Sequence, residues 1–434
     1  MTESPAKTGF ALDCVQLSDL GLRRTNNQDA VATVIAGDEA RWRSRGHFLM
    51  VADGMGAHAA GELASKLAVD NIPHIYMKLR DQSPPAALRQ AFRETNELIN
   101  DKGQSSFDFQ GMGTTCSCLV LLPEGALVAH VGDSRVYRLR GQELVQLTFD
   151  HSLVWEMAAA GQMEQEAVPA YIPKNVITRS LGPRPTINVD LEGPFDVEAG
   201  DVFLLCSDGL SGPLTDKEIG AMLRCLPTQE AAQTLVDLAN LRGGPDNISV
   251  IIGRIVGTGE TDGEHKSGTD QSNGVPPRRI HPGIWLGSVL CLVGLVASRM
   301  LSFSPGMVLS GIGLGAMLAF ALVQRLNHRG VVRHTLLGGP YGNGPYRSFV
   351  VMANHEVVQA LAEIVRQLRV LEANPEIKID WEPLRQHAER AAAAGDHPCT
   401  AITEYAAGIR ETMRQLRQRR GPGDTTPVLG LPST

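Results

Sequence analysis

Short apolar runs bounded by Gly, Asp or Pro recur through the first 256 residues, at 47–52, 119–122, 127–131, 202–206 and 248–255. Runs of that length with such boundaries predict buried strands. Between them the apolar positions fall at helical spacing. Leu63, Leu67, Ile72 and Ile75 predict a helix over 61–79, and Leu88, Phe92 and Leu98 predict another over 86–100. The stretch 228–241 follows the same pattern. Residues 12–256 therefore read as one domain mixing strands and helices.

The pattern then breaks. From Gly257 to Val275 the chain is Gly, Thr, Ser, Asp and Glu with almost no large apolar residue. Such a segment cannot support a core and reads as a flexible linker, 257–281. Two long apolar runs follow, at about 284–303 and 306–323, with Arg299 the only charge in the first and Ser304-Pro305 between them. Each approaches the roughly 20 residues needed to cross a bilayer. Gly311, Gly313, Gly315, Ala316 and Ala319 suit close helix packing in lipid. Residues 282–325 are thus expected to form two transmembrane helices. Arg278, Arg279 and His281 precede the first, and Arg325, His328, Arg329 and Arg333 follow the second. Basic flanks on both sides place both soluble parts in the cytoplasm. The expected location is the inner membrane, multi-pass, with lipid around the hairpin.

Beyond a Gly- and Pro-rich loop, helical stripes return over 350–420. Val357, Leu361, Ile364, Val365, Leu368 and Leu371 form one; Ile402, Tyr405, Ile409, Met413 and Leu416 form another. Asp380 is placed to cap the helix starting near Trp381. These stripes suggest a small helical region that could pair with a second copy. Its Arg-rich end, Arg410, Arg414, Arg417, Arg419 and Arg420, reads as a solvated face.

Composition adds little: 43% hydrophobic, 20% charged, net charge -7. That balance gives no global reason to expect nucleic-acid binding. Residues 1–10 are polar and show no apolar h-region of a cleavable signal. Seven Cys carry no paired metal-ligand spacing, and without a framework they suggest a reducing compartment. Cys116 and Cys118 share one face of a strand and read as small buried residues.

The chemistry sits at strand ends. Leu49-Met50-Val51-Ala52 runs into Asp53-Gly54, and Leu204-Leu205-Cys206-Ser207 runs into Asp208-Gly209. Val128-Ala129-His130-Val131 runs into Gly132-Asp133-Ser134, and Pro245-Asp246-Asn247 leads into the last strand. A lone Asp after a strand is usually a turn former. Clustered carboxylates repel one another unless cations lie between them. An all-oxygen set favours Mg²⁺ or Mn²⁺ over Zn²⁺.

These residues also lie in a series of motifs. In order they are Ser18-Asp19-Leu20-Gly21; Arg24-Thr25-Asn26-Asn27-Gln28-Asp29; Asp53-Gly54-Met55-Gly56-Ala57-His58; Gly111-Met112-Gly113-Thr114-Thr115; and Val131-Gly132-Asp133-Ser134-Arg135. Leu147-Thr148-Phe149-Asp150-His151-Ser152, Thr178-Arg179-Ser180-Leu181-Gly182, Ser207-Asp208-Gly209-Leu210 and Asp246-Asn247-Ile248-Ser249 complete them. The series resembles the bacterial form of the protein phosphatase 2C (PPM) family over about residues 12–256; the remainder lies outside it. The resemblance implies an α+β fold, a four-layer α-β-β-α sandwich with the metals at one end. It implies two core Mn²⁺ or Mg²⁺ ions bridged by Asp53, with Gly54 offering its carbonyl and Asp208 and Asp246 completing one site. Asp133 with Asp208 would hold a third ion, Arg24 would bind substrate phosphate, and Asp29 would orient water. It further implies a serine/threonine phosphoprotein phosphatase working by direct attack of hydroxide on phosphorus. Phosphorylated Ser/Thr proteins, and a membrane Ser/Thr kinase among them, would be its partners. A catalytically weak scaffold is the alternative, and it predicts a broken Asp set. Gln28 stands where many members have Glu, Ala57 replaces a usual Gly, and Met55 stands where animal members carry a proposed acid His. The segment 168–174 departs from the usual flap sequence.

Overall fold

The continuous apolar runs become strands buried on both faces. In the computed structural model, which describes residues 11–57, 59–159, 176–257, 337–342, 346–352, 355–375 and 377–419, strand β3 spans His47–Met55. Its Phe48, Met50 and Ala52 point into one apolar cluster, while Leu49 and Val51 point into another. Burial of both faces removes the alternation that would mark a half-exposed strand.

The same holds for β5 (Cys116–Leu122), β6 (Gly125–Val131), β10 (Val202–Cys206) and β11 (Ile248–Val256). Cys116 and Cys118 lie buried on one face of β5. The remaining strands are β1 (Ala11–Asp19), β2 (Asp29–Val34), β4 (Gly113–Thr114), β7 (Arg135–Arg140), β8 (Glu143–Gln146), β9 (Asp190–Phe195) and β12 (Arg347–Val350). One sheet runs β1-β11-β10-β7-β8-β12; the other runs β2-β3-β5-β6-β9, with β4 on β3. All their pairings are antiparallel.

Three apolar clusters correspond to the three interfaces of a four-layer sandwich. Between the sheets lie Leu49, Val51, Leu119 and Leu121 against Phe203, Leu205 and Ile251. Helices α2 (Ala60–Lys78) and α3 (Pro84–Ser105) cover the β3-β5-β6 face with Ala64, Ala68, Ile72, Leu88 and Phe92. Helices α6 (Asp216–Cys225) and α7 (Thr228–Leu241) cover the other sheet. The smaller helices are α1 (Glu39–Arg45), α4 (Leu153–Ala159) and α5 (Asp208–Ser211). Helix α6 carries a start signal in the sequence: Thr215 and Glu218 form a reciprocal capping box.

The C-terminal stripes find their partners inside the chain. Helices α8 (His355–Val370), α9 (Glu382–Ala393) and α10 (Pro398–Arg419) share one apolar cluster with α6 and α7, through Leu361, Leu368, Leu384, Ile402, Ala406 and Ile409. The stripe expected to serve a second copy is thus covered here by α6 and α7. Asp380 accepts from the Glu382 amide at 3.0 Å, but it lies one residue before the N-cap, which is Trp381 and has no side-chain cap bond. Two of the arginines read as a solvated face are instead paired with α7: Arg410 with Glu230 and Thr234, and Arg417 with Asp237. Cys225 and Cys399 form a disulfide that joins α6 to the start of α10, a pairing the Cys spacing did not suggest.

No described helix is long and apolar enough to cross a membrane. The linker beyond residue 257 and both expected spans, 284–303 and 306–323, lie outside the described residues, as do His58, residues 160–175 with the whole of the segment 168–174, and Arg420.

Candidate metal centre and active site

Each strand-end Asp reaches one end of the sandwich by a different route. Asp29 opens β2 and sits directly across from Asp53 of β3 in the antiparallel register. Asp133 lies in the turn from β6 to β7, where the chain crosses from one sheet to the other. Asp208 follows β10 as the first residue of α5, and Asp246 stands two residues before β11. Strands β10 and β11 are neighbours, so the last two carboxylates enter from one sheet and the first two from the other.

The two Asp-Gly units have a steric basis. A Cβ on Gly54 would fall 2.0 Å from the Gly61 carbonyl oxygen and 2.6 Å from that of Gln28. On Gly209 it would fall 1.9 Å from the Asn247 carbonyl oxygen. At both places one backbone passes hard against another, which only glycine allows. The start of α2 is thereby seated on β3, and α5 beneath the 246–247 loop.

The carboxylates are buried close enough to repel. Burial, then the charges of Asp29, Asp208, Asp133 and Asp246, hold the Asp53 pKa well above the usual carboxylate range. Asp29 and Asp133 are each pushed up to about 7, chiefly by burial, with neighbouring Asp charges adding to it. Asp208 is raised by burial and by Asp246. Asp29 Oδ1, Asp133 Oδ1 and Asp208 Oδ1 are buried without a hydrogen-bond partner. Among the described residues no three Asp, Glu, His or Cys side chains are drawn onto a single point. What the centre does show is unpaired carboxylate oxygen beside carboxylate oxygen. Buried charge of one sign with free lone pairs is a donor set suited to hard divalent cations.

Around this centre lie groups that sequence reasoning did not single out. Ser207 Oγ donates to Asp29 Oδ2 at 2.7 Å and accepts from the Ser249 amide at 3.0 Å. Asn247 Oδ1 accepts from the Gln28 amide at 2.8 Å, while its Nδ2 donates to the Leu20 and Asn26 carbonyls. The Asn247 side chain therefore ties the β1–β2 loop, which carries Arg24, to the loop carrying Asp246. The Asp-Asn and Ser-Asp neighbours were visible as motifs, but nothing local indicates what their side chains bond. Thr115 Oγ1 accepts from the Asp53 amide at 3.0 Å.

Arg24 lies at the rim, partly exposed, and donates to Asp246 Oδ2 at 2.6 Å. Thus Arg24, Asp29, Asp53, Gly54, Asp133, Asp208 and Asp246 come from separate stretches of the sequence to one end of the fold. Beside them a groove of about 730 Å³ is lined by Met55, Glu156, Thr178, Arg179, Ser180 and Arg184. Met55 stands two residues beyond Asp53, so the groove opens next to the acidic centre.

Known proteins share this domain. Residues 23–239 match the family described as Protein phosphatase 2C. Protein phosphatase PhpP of Streptococcus pneumoniae is 38% identical over 253 residues, which cover 57% of this chain and 98% of that protein. The solved serine/threonine phosphatase PstP/Ppp of Mycobacterium tuberculosis is 35% identical with a TM-score of 0.50, covering 56% of this chain and 99% of that one. The S. agalactiae serine/threonine phosphatase is 34% identical with a TM-score of 0.51, covering 56% of this chain and all of that one. The family match, the order of the motifs and the sandwich that carries them agree: this chain belongs to the protein phosphatase 2C family.

Proposed function

We propose that this chain removes phosphate from phosphoserine and phosphothreonine of proteins at a membrane surface, using the acidic centre at the end of its sandwich. As a family member it is a metal-dependent protein-serine/threonine phosphatase, with Mn²⁺ or Mg²⁺ as the cofactor. The observation that carries the site assignment is the group of buried Asp residues with unpaired oxygens beside Arg24.

Asp53, Asp208 and Asp246, with the Gly54 carbonyl, would hold the two core ions, and Asp133 with Asp208 a third. Bound divalent ions lower the pKa of water and offset charge at phosphorus. Arg24 presents a planar guanidinium that suits a phosphate, and its present partner Asp246 would turn to an ion. Asp29, which accepts from Ser207, would orient a water and take its proton. A scaffold without catalysis is disfavoured, since none of these positions is replaced.

The membrane half of the proposal rests on the two apolar runs and their basic flanks. They would form a two-span hairpin in the inner membrane, leaving the phosphatase domain and the C-terminal helices in the cytoplasm. Phosphorylated Ser/Thr proteins within reach of the linker, a membrane Ser/Thr kinase among them, would be substrates. In a reducing cytoplasm Cys225 and Cys399 would be kept as thiols. The apolar packing and the Arg410 and Arg417 pairs hold α10 on α7 without that bond.

The test is hydrolysis of a phosphothreonine peptide by the full chain. Activity should require Mn²⁺ or Mg²⁺, stop with chelator, and fall at least about 100-fold in Asp208→Ala. Metal-saturated protein that leaves every phosphopeptide intact would sink the proposal. Fractionation places the chain: release from membranes by salt alone would remove the hairpin.

A further inference from the structure

The phosphatase domain does not end where the family match ends. We propose that Tyr346 and Arg347, which lie beyond the linker and the two apolar runs, are positioning residues for the phosphatase site. They hold the segment 149–156 that connects the Asp133 turn to the wall of the substrate groove. The proposal rests on the phosphatase reading of that site.

Strand β12 pairs with β8, so that Arg347 lies opposite Gln146. The pairing delivers two side chains onto the neighbouring segment. The Tyr346 ring stacks on Phe149, with centroids 5.7 Å apart, and meets Phe195 edge-on at 5.2 Å. Its hydroxyl donates to Glu192 at 2.5 Å. The Arg347 guanidinium lies over the Trp155 ring of α4, 5.4 Å from its centre, and Trp155 in turn packs edge-on against Phe149 at 5.8 Å. Aromatic pairs and cation–π contacts of this kind fix orientation as well as adding energy.

The clamped segment leads directly to the site in both directions. Towards the Asp133 turn, His151 is bonded both ways to Gly132: its amide donates to the Gly132 carbonyl at 2.7 Å, and its Nδ1 accepts from the Gly132 amide at 3.0 Å. Gly132 is the residue before Asp133. Asp150 takes the Arg135 guanidinium through both carboxylate oxygens, and Gln146, opposite Arg347, donates to Asp150 at 3.0 Å. Towards the substrate, the His151 carbonyl accepts from the Thr178 amide at 2.8 Å, and Glu156 of α4 accepts from the Thr178 hydroxyl at 2.6 Å. Glu156 and Thr178 both line the groove beside Met55.

The clamp is fixed from the rear as well. Val351 is buried against Gly220 of α6, where a Cβ would fall 2.4 Å from a Val351 methyl. Arg224 of α6 donates to the Val351 carbonyl at 2.8 Å. The solved S. agalactiae chain is covered in full by 56% of this chain. In this chain the catalytic end is braced by a segment that follows the linker and the two apolar runs.

Full-length chain carrying Arg347→Ala or Tyr346→Ala tests this, beside Arg347→Lys, Tyr346→Phe and the control Lys217→Ala. The control removes an exposed ion pair with Glu356 that is not among the aromatic and cation–π contacts of Tyr346 and Arg347. With saturating Mn²⁺ and a phosphothreonine peptide, each alanine variant should raise KM about fivefold while kcat stays within about twofold. Lys and Phe should restore most of the loss, and the control should match wild type. Amide exchange over 149–157 should be about fivefold faster in the alanine variants, with α9 unchanged. Unchanged KM and exchange would overturn the proposal. So would equal losses in kcat, KM and melting temperature across all four clamp variants, which is what a general loss of stability produces. If wild type hydrolyses nothing, the phosphatase reading fails, and the exchange measurement alone still decides the clamp.

Discussion

Replacing Asp133 by Asn should stabilise the metal-free chain while impairing the enzyme. Asp133 is buried, its Oδ1 has no partner, and its pKa is pushed up to about 7 from 3.8 by burial and by Asp208 and Asp150. A shift of that size corresponds to about 4 kcal/mol of strain on the ionised form. Neighbouring carboxylates share the same repulsion, and contacting groups are not additive, so removing one charge should return about 2 kcal/mol. In a domain of this size that is about 4–8 °C in melting temperature.

The sign with pH is fixed by linkage. A carboxyl whose folded pKa lies above its unfolded value binds more protons folded than unfolded between the two values. Wild-type stability should therefore fall as pH rises from about 4 through about 7, with the full penalty above that. The measurement is thermal melting of full-length wild type and Asp133→Asn in chelator at pH 8 and pH 5. The variant should melt higher at pH 8, with the gap narrowing at pH 5, where the wild-type carboxyl carries its proton. Added Mn²⁺ should raise wild type more than the variant. Equal melting at pH 8, or a gap that persists at pH 5, would refute the claim that the centre is strained by unneutralised charge.

Arg24→Ala should lower kcat/KM on a phosphopeptide about 10- to 100-fold, the range of a lost charged hydrogen bond, with the larger part in KM. An unchanged KM would remove Arg24 from phosphate binding. Gly209→Ala should both destabilise the fold and reduce activity, since its Cβ would meet the Asn247 carbonyl oxygen at 1.9 Å and displace the loop carrying Asp246. Urea unfolding should show a loss of at least about 2 kcal/mol; a neutral result would mean the 246–247 loop yields freely.

The parts of the fold that were legible in the sequence are those whose burial leaves a strong local mark. Strands β3, β5, β10 and β11 are apolar on both faces because each lies between a helical layer and the opposite sheet. Helix α7 starts and ends where its spacing indicates. Strands such as β1 and β7 were harder to see because polar side chains interrupt them. In β7, Arg135 and Arg140 meet Asp150 and Asp201, 15 and 61 residues further on, outside the strand's own pattern. The hairpin of apolar runs was equally plain as a pattern, but it falls outside the described residues.

The site divides in the same way. The strand-end Asp residues show themselves because an apolar run fixes where each side chain emerges, and Gly54 and Gly209 mark where backbones must pass closely. Asp29 and Arg24 carry no such mark and were reached only through the family's motif order. Ser207 and Asn247 acquire their roles from neighbours brought in by folding, Asp29 across 178 residues and Gln28 across 219. The C-terminal stripes pose the same problem on a larger scale. A helix stripe shows that an apolar face needs covering, but not by what. Leu361, Ile402 and Ile409 could have met a second copy or one another; the structure lays them on α6 and α7, with Arg410 and Arg417 completing the contact through acids about 180 residues upstream. Once that face is fixed on α6, Val351 is pinned to Gly220 and β12 is drawn onto β8. Tyr346 and Arg347 then have little freedom over where they land, which is on Phe149 and Trp155 beside the active site.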